Sequence, residues 1–283
     1  NNWDVSNVTG MQYMFTQSSA FNQPLNSWDV GNVTDMRFMF AQSSAFNQPL
    51  NNWNVSNVTR MDGMFMQSSA FNQPLNSWDV GNVTDMGGMF AYTRFNQPLN
   101  NWNVGNVTDM ISMFFKADTF NQPLNDWNVG SVTSMNGMFA GATDFNQPLN
   151  NWDVSSAIEM QGMFSSTTSF DQSLANWNVS NVASLQGMFG DTVQVFITYN
   201  EIQLGKSYSQ WTQQEKDDFW IMMSSVLGYP VDESYTPNPS GLSTPNYDAT
   251  LIAWSAQNLE SSVIFDAGTS KYCNAEAQRQ SII

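Results

Sequence analysis

The chain has 283 residues, of which 41% are hydrophobic and 14% aromatic, so it holds enough apolar side chains for a long core. Its 24 Asp and Glu residues against 8 Lys and Arg give a net charge of -16, which argues against a nucleic-acid partner because phosphate backbones are repelled. The chain has no histidine and a single cysteine, Cys273, which excludes histidine-dependent catalysis and an internal disulfide. No apolar run of about 18 residues is present, so the sequence predicts no membrane-spanning helix.

A tryptophan-centred motif recurs eight times before residue 190. Six of the seven intervals between the tryptophans are 25 residues long and one is 24. A fixed period of this length is typical of a solenoid, in which each unit buries its apolar face against its neighbours. The tryptophans are Trp3, Trp28, Trp53, Trp78, Trp102, Trp127, Trp152 and Trp177. The sequence therefore predicts a solenoid of about eight repeats over residues 1–192.

The repeat over residues 46–71 predicts a short strand followed by a short helical turn. Apolar and polar residues alternate over Trp53–Val55, which favours a strand that pairs in parallel with its equivalents. Thr59 can cap a helical turn, because the methionines and phenylalanine of Met61–Phe65 have the i, i+3, i+4 spacing of one helix face. The two residues between the methionines vary between repeats, so we expect them to face solvent. The fold class predicted is thus an α/β repeat solenoid similar to a leucine-rich repeat.

Stacking of the repeats would bring equivalent side chains about 4.8 Å apart. We expect Trp, Met and Phe to form continuous columns through the core, and 15 of the 18 methionines lie in two such columns. The one short repeat lacks a residue between Phe90 and Phe95, which places a surface loop there. An asparagine column is expected to satisfy backbone groups left open at the turns. Its members are Asn22, Asn47, Asn72, Asn96, Asn121 and Asn146.

A row of Asp and Asn residues, each next to a tryptophan, is the candidate ligand-facing surface. Its residues are Asp29, Asn54, Asp79, Asn103, Asn128 and Asp153. A calcium-binding ladder would be expected to keep a carboxylate at every step, so the mixture of Asp and Asn argues against metal binding. We predict no catalytic residues, no metal and no cofactor. A face of amides, hydroxyls and few carboxylates suits a glycan or a flat hydrated surface better than an anchored protein interface.

Seven N-x-Ser/Thr sequons are present, and most recur in register. Glycans about 5 Å apart would crowd each other, so we expect low occupancy or none. The sequons begin at Asn7, Asn32, Asn54, Asn57, Asn82, Asn106 and Asn178.

The 25-residue period stops near residue 193, and residues 193–283 are predicted to form an α+β capping segment. The capping box at Thr212–Glu215 opens an apolar helix that ends at Gly228. A second helix is predicted to start near Asn246, and a strand over residues 262–265 and a last helix near residue 274 follow. The acidic residues of this segment fit helix surfaces better than a pair of catalytic carboxylates.

The repeated motif FNQPLNxWDVSNVTDMxxMF resembles that of the BspA-type leucine-rich-repeat surface proteins, specifically the 25-residue repeat once labelled a domain of unknown function. The resemblance covers residues 1 to about 190. The segment YDATLIAWSAQNL resembles the part that commonly follows these repeats and caps their open end. The family implies a secreted or cell-surface protein, often in adhesion, and implies no enzyme. Since the chain begins inside a repeat, we expect it to be a piece of a longer chain or assembly.

These observations predict a non-enzymatic, extracellular or cell-surface repeat protein that acts in adhesion or as a structural surface module. The alternative is a lectin-like polysaccharide-binding module of a secreted degradative system. The expected partners are accordingly a polysaccharide, a cell surface or an extracellular protein.

Overall fold

A computed structural model describes residues 3–190, Thr212, Lys216, Ala249, Thr250, Ala253, Trp254 and Gln257. Residues 3–190 form turns, segments without regular secondary structure and isolated parallel β-bridges, without an α-helix or a longer strand. Each bridge joins one residue to its equivalent in the next repeat. The bridged residues are Gly10, Asp35, Arg60, Asp85, Asp109, Ser134, Glu159 and Ser184. Outside the repeats, the helical residues are 216, 249–250 and 253–254.

Backbone hydrogen bonds join each repeat to the next along the methionine segment. From Met61 to Gln67, the first, third, fifth and seventh amides donate to carbonyls of the following repeat at 2.7–3.0 Å. The fourth and sixth amides donate within the repeat to the carbonyl three residues earlier, as Met64 N does to Met61 O at 3.1 Å. Alternate amides therefore close turns and link repeats, so that the segment is both folded locally and paired.

The helical turn predicted over Met61–Phe65 is wrong. Gly63 and Gln67 have φ angles of 62° and 60°, a left-handed conformation that suits the third residue of a turn and interrupts an α-helix. A helix would also direct its amides along its own axis, whereas alternate amides of this segment donate sideways to the next repeat. Thr59 does not cap a helix, because its Oγ1 donates to Thr34 O at 3.2 Å. Consecutive turns produce the same i, i+3, i+4 side-chain spacing.

The parallel pairing lies further along the repeat than predicted. Trp53–Val55 belongs to no strand, and the bridged residue is Arg60. Around it, Thr59 N donates to Thr34 O at 2.9 Å and Met61 N donates to Asp85 O at 3.0 Å. These bonds point to the preceding and the following repeat, which is how a residue in the middle of a parallel sheet is held.

The predicted tryptophan column is buried from Trp28 to Trp177, with 0–7% of each residue exposed. Trp3 is 67% exposed, so the prediction that every tryptophan is buried is wrong for the first repeat, which has no described repeat beyond it. Central rings such as Trp102 and Trp127 stack with centroids 6.4 Å apart. The methionines of the two columns are buried in the same cluster from Met36 to Met188, so the described repeats share one continuous core.

Each tryptophan from Trp53 to Trp177 also donates a hydrogen bond across the core. Trp102 Nε1 donates to Leu75 O at 2.9 Å, and Trp78 Nε1 donates to Leu50 O at 3.0 Å. The same bond recurs from Trp53 to Trp177 at 2.8–3.0 Å. The indole thus satisfies its own donor and adds a second bond to a leucine carbonyl that already accepts the amide three residues later.

Two phenylalanine columns run beside the tryptophans, and the short repeat leaves them intact. Within a normal repeat, Phe65 and Phe71 stack with centroids 4.0 Å apart. In the repeat that lacks a residue, Phe90 and Phe95 stack at 4.2 Å. The missing residue removes a surface turn, as predicted, and Thr93 Oγ1 accepts the Phe95 amide at 3.4 Å.

Trp254 continues the tryptophan column beyond the last repeat. It is fully buried, its Nε1 donates to Leu174 O at 3.2 Å, and its ring lies 6.5 Å from that of Phe189. Gln257 Nε2 donates to Trp177 O at 2.7 Å, and its Oε1 accepts the Val179 amide at 2.7 Å. These residues supply the contacts that a further repeat would have made. The other helices, the loop and the strand predicted over residues 193–283 lie outside the described residues.

Replacing Trp102 by Ala is expected to lower the free energy of unfolding by about 3–5 kcal/mol, because a fully packed indole is lost. Replacing the exposed Trp3 is expected to change it by less than about 1 kcal/mol. Thermal and urea unfolding of both variants measures the difference. Equal shifts would contradict a core that is continuous through the stack.

Candidate binding surface

The predicted ligand-facing row lies on the surface, and all six of its residues are exposed. Adjacent members are close together: the Oδ1 of Asn103 and the Nδ2 of Asn128 both lie 3.3 Å from the position a Cβ would take on Gly105. The row therefore forms a continuous line of polar groups, one for each repeat.

One oxygen of every residue in this row has a structural role. Asp29 Oδ1 accepts the Gly31 amide at 3.1 Å, and Asn54 Oδ1 accepts the Ser56 amide at 3.2 Å. The same bond, to the amide two residues later, recurs at 3.0–3.2 Å throughout the row. These are Asx turns, which both Asp and Asn form equally well. The turn explains why the row mixes the two residues, and it fixes the side chains in one orientation.

Two further polar rows run parallel to the first on the same face. In the second row, Asn57 Nδ2 donates to Gly31 O at 2.7 Å, and Asn82 Nδ2 donates to Ser56 O at 2.7 Å. In the third, Thr hydroxyls donate to the threonine carbonyl of the preceding repeat at 3.1–3.2 Å. All three rows are therefore ordered before any partner binds, which lowers the entropic cost of binding.

The asparagine column of the Phe-Asn-Gln-Pro-Leu segment satisfies backbone groups, as predicted. Asn22 Oδ1 accepts the Asn47 amide at 3.0 Å and the Gln48 side-chain amide at 3.1 Å. The same pair of bonds recurs up to Asn146. These residues are exposed or half-buried, so the ladder runs along the surface and not through the interior.

A chain of ion pairs follows the bridged residues of the second to fourth repeats. Arg37 pairs with Asp35 at 2.7 Å, and Arg60 pairs with Asp62 at 3.1 Å and with Asp85 at 2.8 Å. Burial and the charge of Asp85 raise the pKa of Asp62 more than Arg60 lowers it. Burial acts in the same direction on Asp35, but hydrogen bonds and charge from Arg37 outweigh it and lower the pKa of that carboxyl. The network thus holds partly desolvated carboxylates beside the variable residues between the methionines.

The variable residues carry an aromatic pair that sequence analysis did not single out. Tyr13 and Phe38 stack with ring centroids 5.2 Å apart and 4° between their planes. Tyr13 is 55% exposed. Both residues have positive φ angles, 62° and 52°, which are uncommon for bulky side chains. Five of the eight repeats have glycine at this position, so an aromatic residue in a glycine column was the signal available in the sequence.

The first repeats also border a half-open pocket of about 190 Å³. It is lined by Trp3, Phe15, Phe21, Leu25 and Trp28. Trp28 Nε1 is buried there without a hydrogen-bond partner among the described residues. By the pattern of the later repeats, this indole would donate to a leucine carbonyl 28 residues earlier. The pocket therefore lies at the end of the described part of the core.

Within the described residues, no group of three or more His, Cys, Asp or Glu side chains is arranged to hold a metal ion. That same part of the chain contains no helix with the length and apolar character needed to cross a membrane.

One family model matches the chain, in two segments that overlap and cover residues 1–95 and 89–201. Its description is "Mycoplasma protein of unknown function, DUF285". Because the match covers more than half of the chain, the protein belongs to this family of repeat proteins. No curated protein and no solved structure matches the chain significantly.

The sequons of the second polar row are expected to stay unmodified in the folded protein. A glycan on Asn57 would be attached to Nδ2, the atom that donates to Gly31 O. The same bond recurs in Asn32, Asn82 and Asn106, so a glycan would disturb an ordered row. After secretion from a yeast host, peptide mass spectrometry of the soluble, folded fraction measures occupancy at each site. Sugars on consecutive repeats of a cooperatively folded protein would contradict the expectation.

Proposed function

We propose that this protein is a non-enzymatic, extracellular or cell-surface repeat protein that acts in adhesion or as a structural surface module. The observation that carries the proposal is the three-row polar face, whose side chains are held in place by hydrogen bonds. A rigid face that repeats once per coil presents the same small contact many times. Multiple weak contacts of this kind give avidity without a deep pocket.

The proposed fold class is a repeat solenoid related to the BspA-type leucine-rich-repeat surface proteins. Parallel bridges in register and a continuous apolar core support the solenoid. The FNQPLNxWDVSNVTDMxxMF motif supports the relationship to the BspA-type proteins. The turn segment differs from the helical turn that was predicted, and Trp254 supports a capping role for the segment after the repeats. The surface location proposed rests on this resemblance.

A lectin-like polysaccharide-binding module is the second candidate. It is favoured by the exposed row of Asp and Asn residues, because planar amides and carboxylates hydrogen-bond well to sugar hydroxyls. The two candidates differ in the partner and not in the face, so one set of variants tests both.

Adhesion is tested with beads that carry the full chain, detached by flow from agarose, mucin and hydroxylated glass. The test variant combines Asn54→Asp, Asn103→Asp and Asn128→Asp, which keeps every Asx turn but adds three charges to the row. Neighbouring carboxylates about 5 Å apart repel each other by about 0.8 kcal/mol even in water, and added charge makes desolvation by a partner costlier. We expect the detachment force to fall several-fold without a loss of fold.

The matched control combines Ala20→Asp, Ser69→Asp and Ala70→Asp, which adds the same charge at exposed positions away from the row. Equal adhesion by both variants and the original chain would contradict a role for this face. A purified chain that cleaves a glycan or peptide, with a rate abolished by replacing one acidic pair, would contradict a non-enzymatic function. Retention on agarose alone, lost in the test variant, would favour the lectin-like candidate.

A further inference from the structure

The stack of Tyr13 on Phe38 ends at a vacant position. A Cβ added to Gly63 would overlap the Phe38 ring, so this ring leans over the backbone of the next repeat. At Gly88, one repeat further, an added Cβ would meet no atom within 4 Å. Because Gly63 has no side chain, no ring covers Gly88 as Phe38 covers Gly63. The next step of the aromatic column is therefore an open space about 5 Å deep with a ring face at one side.

Two carboxylates lie next to the glycine that precedes Gly88. The Oδ1 atoms of Asp85 and Asp109 each lie 3.4 Å from the Cβ position of Gly87, the residue beside Gly88. Both oxygens are oriented by backbone amides, since Gly87 N donates to Asp85 at 3.0 Å and Ile111 N donates to Asp109 at 2.8 Å. Arg60 Nη2 binds the second oxygen of Asp85 at 2.8 Å. The vacant step thus has one apolar wall and a glycine backbone as its floor, and ordered carboxylates lie beside the preceding residue.

We propose that this vacant step binds one pyranose ring of a neutral polysaccharide, stacked on Phe38 with hydroxyls directed to Asp85 and Asp109. The inference rests on the proposed function as a binding module, but it assigns a different face and a different set of residues from the three polar rows. Binding at this step would anchor a glycan chain at one point, whereas the rows would offer repeated contacts.

Three observations favour a neutral sugar as the occupant. A pyranose ring has an apolar face of C–H groups that packs on an aromatic ring, and its equatorial edge carries hydroxyls that donate to carboxylates. The space is open to solvent and lies close to ordered carboxylates, unlike the enclosed apolar pocket that an aromatic anchor of a protein prefers. A net charge of -16 and the carboxylates at the edge disfavour an anionic glycan.

The decisive variant is Phe38→Gly in the full chain. Glycine occupies the same column in five repeats with φ angles of 60–62°, so the fold is expected to tolerate it with an unchanged or higher melting temperature. Affinity electrophoresis through gels containing glucomannan, xyloglucan, laminarin or dextran measures binding, and alginate serves as the anionic comparison. We expect retardation by at least one neutral polysaccharide, and a rise of at least tenfold in the dissociation constant for Phe38→Gly.

A second variant fills the space instead of removing its wall. Asparagine tolerates the left-handed conformation of Gly88 (φ +62°), and its side chain would occupy the vacant step. Gly88→Asn is expected to abolish retardation. Gly137→Asn, at a glycine with the same conformation two repeats away, is the matched control and is expected to preserve retardation at least in part. The same is expected of Ser112→Gly. The pair of variants separates loss of the site from loss of the fold.

Unchanged retardation of both Phe38→Gly and Gly88→Asn would overturn the proposal, as would the absence of retardation by every neutral polysaccharide. In the second case, a solution mass above 31.7 kDa that falls to the monomer in Phe38→Gly would assign the aromatic stack to a contact between two copies of the chain. Adhesion lost with the charged polar-row variant but retained in Phe38→Gly would leave the proposed function standing and overturn only this site.

Discussion

The alternating hydrogen bonds of the methionine segment set the register on which every other contact depends. Because amides such as Gly63 and Phe65 donate to the next repeat while Met64 closes a turn, each coil is folded and paired by the same stretch of backbone. Equivalent residues then stack directly above one another. The tryptophan, methionine and phenylalanine columns follow from that register, as do the asparagine ladder and the Asx row.

The same register explains how polar groups are satisfied in a chain with few charges. Indole donors reach leucine carbonyls of the preceding repeat, and asparagine oxygens reach backbone amides of the next. A buried indole N–H without a partner would cost about 1–3 kcal/mol, so the indole bonds stabilise the stack together with the apolar columns. The polar side chains at the surface are likewise fixed by the fold, and the polar face they form is therefore ordered without a ligand.

Much of the core could be predicted from the sequence, because the period alone identifies which residues stack. The helical turn could not be excluded that way, since two turns in succession place Met61, Met64 and Phe65 on one side just as a helix does. Positive φ angles at Gly63 and Gln67 decide between them, and glutamine gives no hint of a left-handed conformation. The repeat period was therefore sufficient to predict which residues form the core, but not to predict the backbone conformation between them.

The site was less predictable, for two physical reasons. Asp29 and its equivalents form Asx turns, which depend on the local backbone geometry. An Asp or Asn in the sequence can form such a turn but does not show that one is present. Trp254 joins the tryptophan column from outside the repeat, so no spacing points to it. The Tyr13 and Phe38 pair stands in positions that vary between repeats, and its neighbour in space, Gly63, becomes informative only once the ring is seen to lie over it.

Scalar couplings across hydrogen bonds, measured by NMR on deuterated full-length chain, test the register most directly. The structure predicts couplings from the amides of Met61, Gly63, Phe65 and Gln67 to carbonyls of Asp85, Gly87, Met89 and Ala91 in the next repeat. Couplings from these amides to carbonyls four residues earlier would instead establish a helix within each repeat. That result would contradict the account of how the repeats are joined.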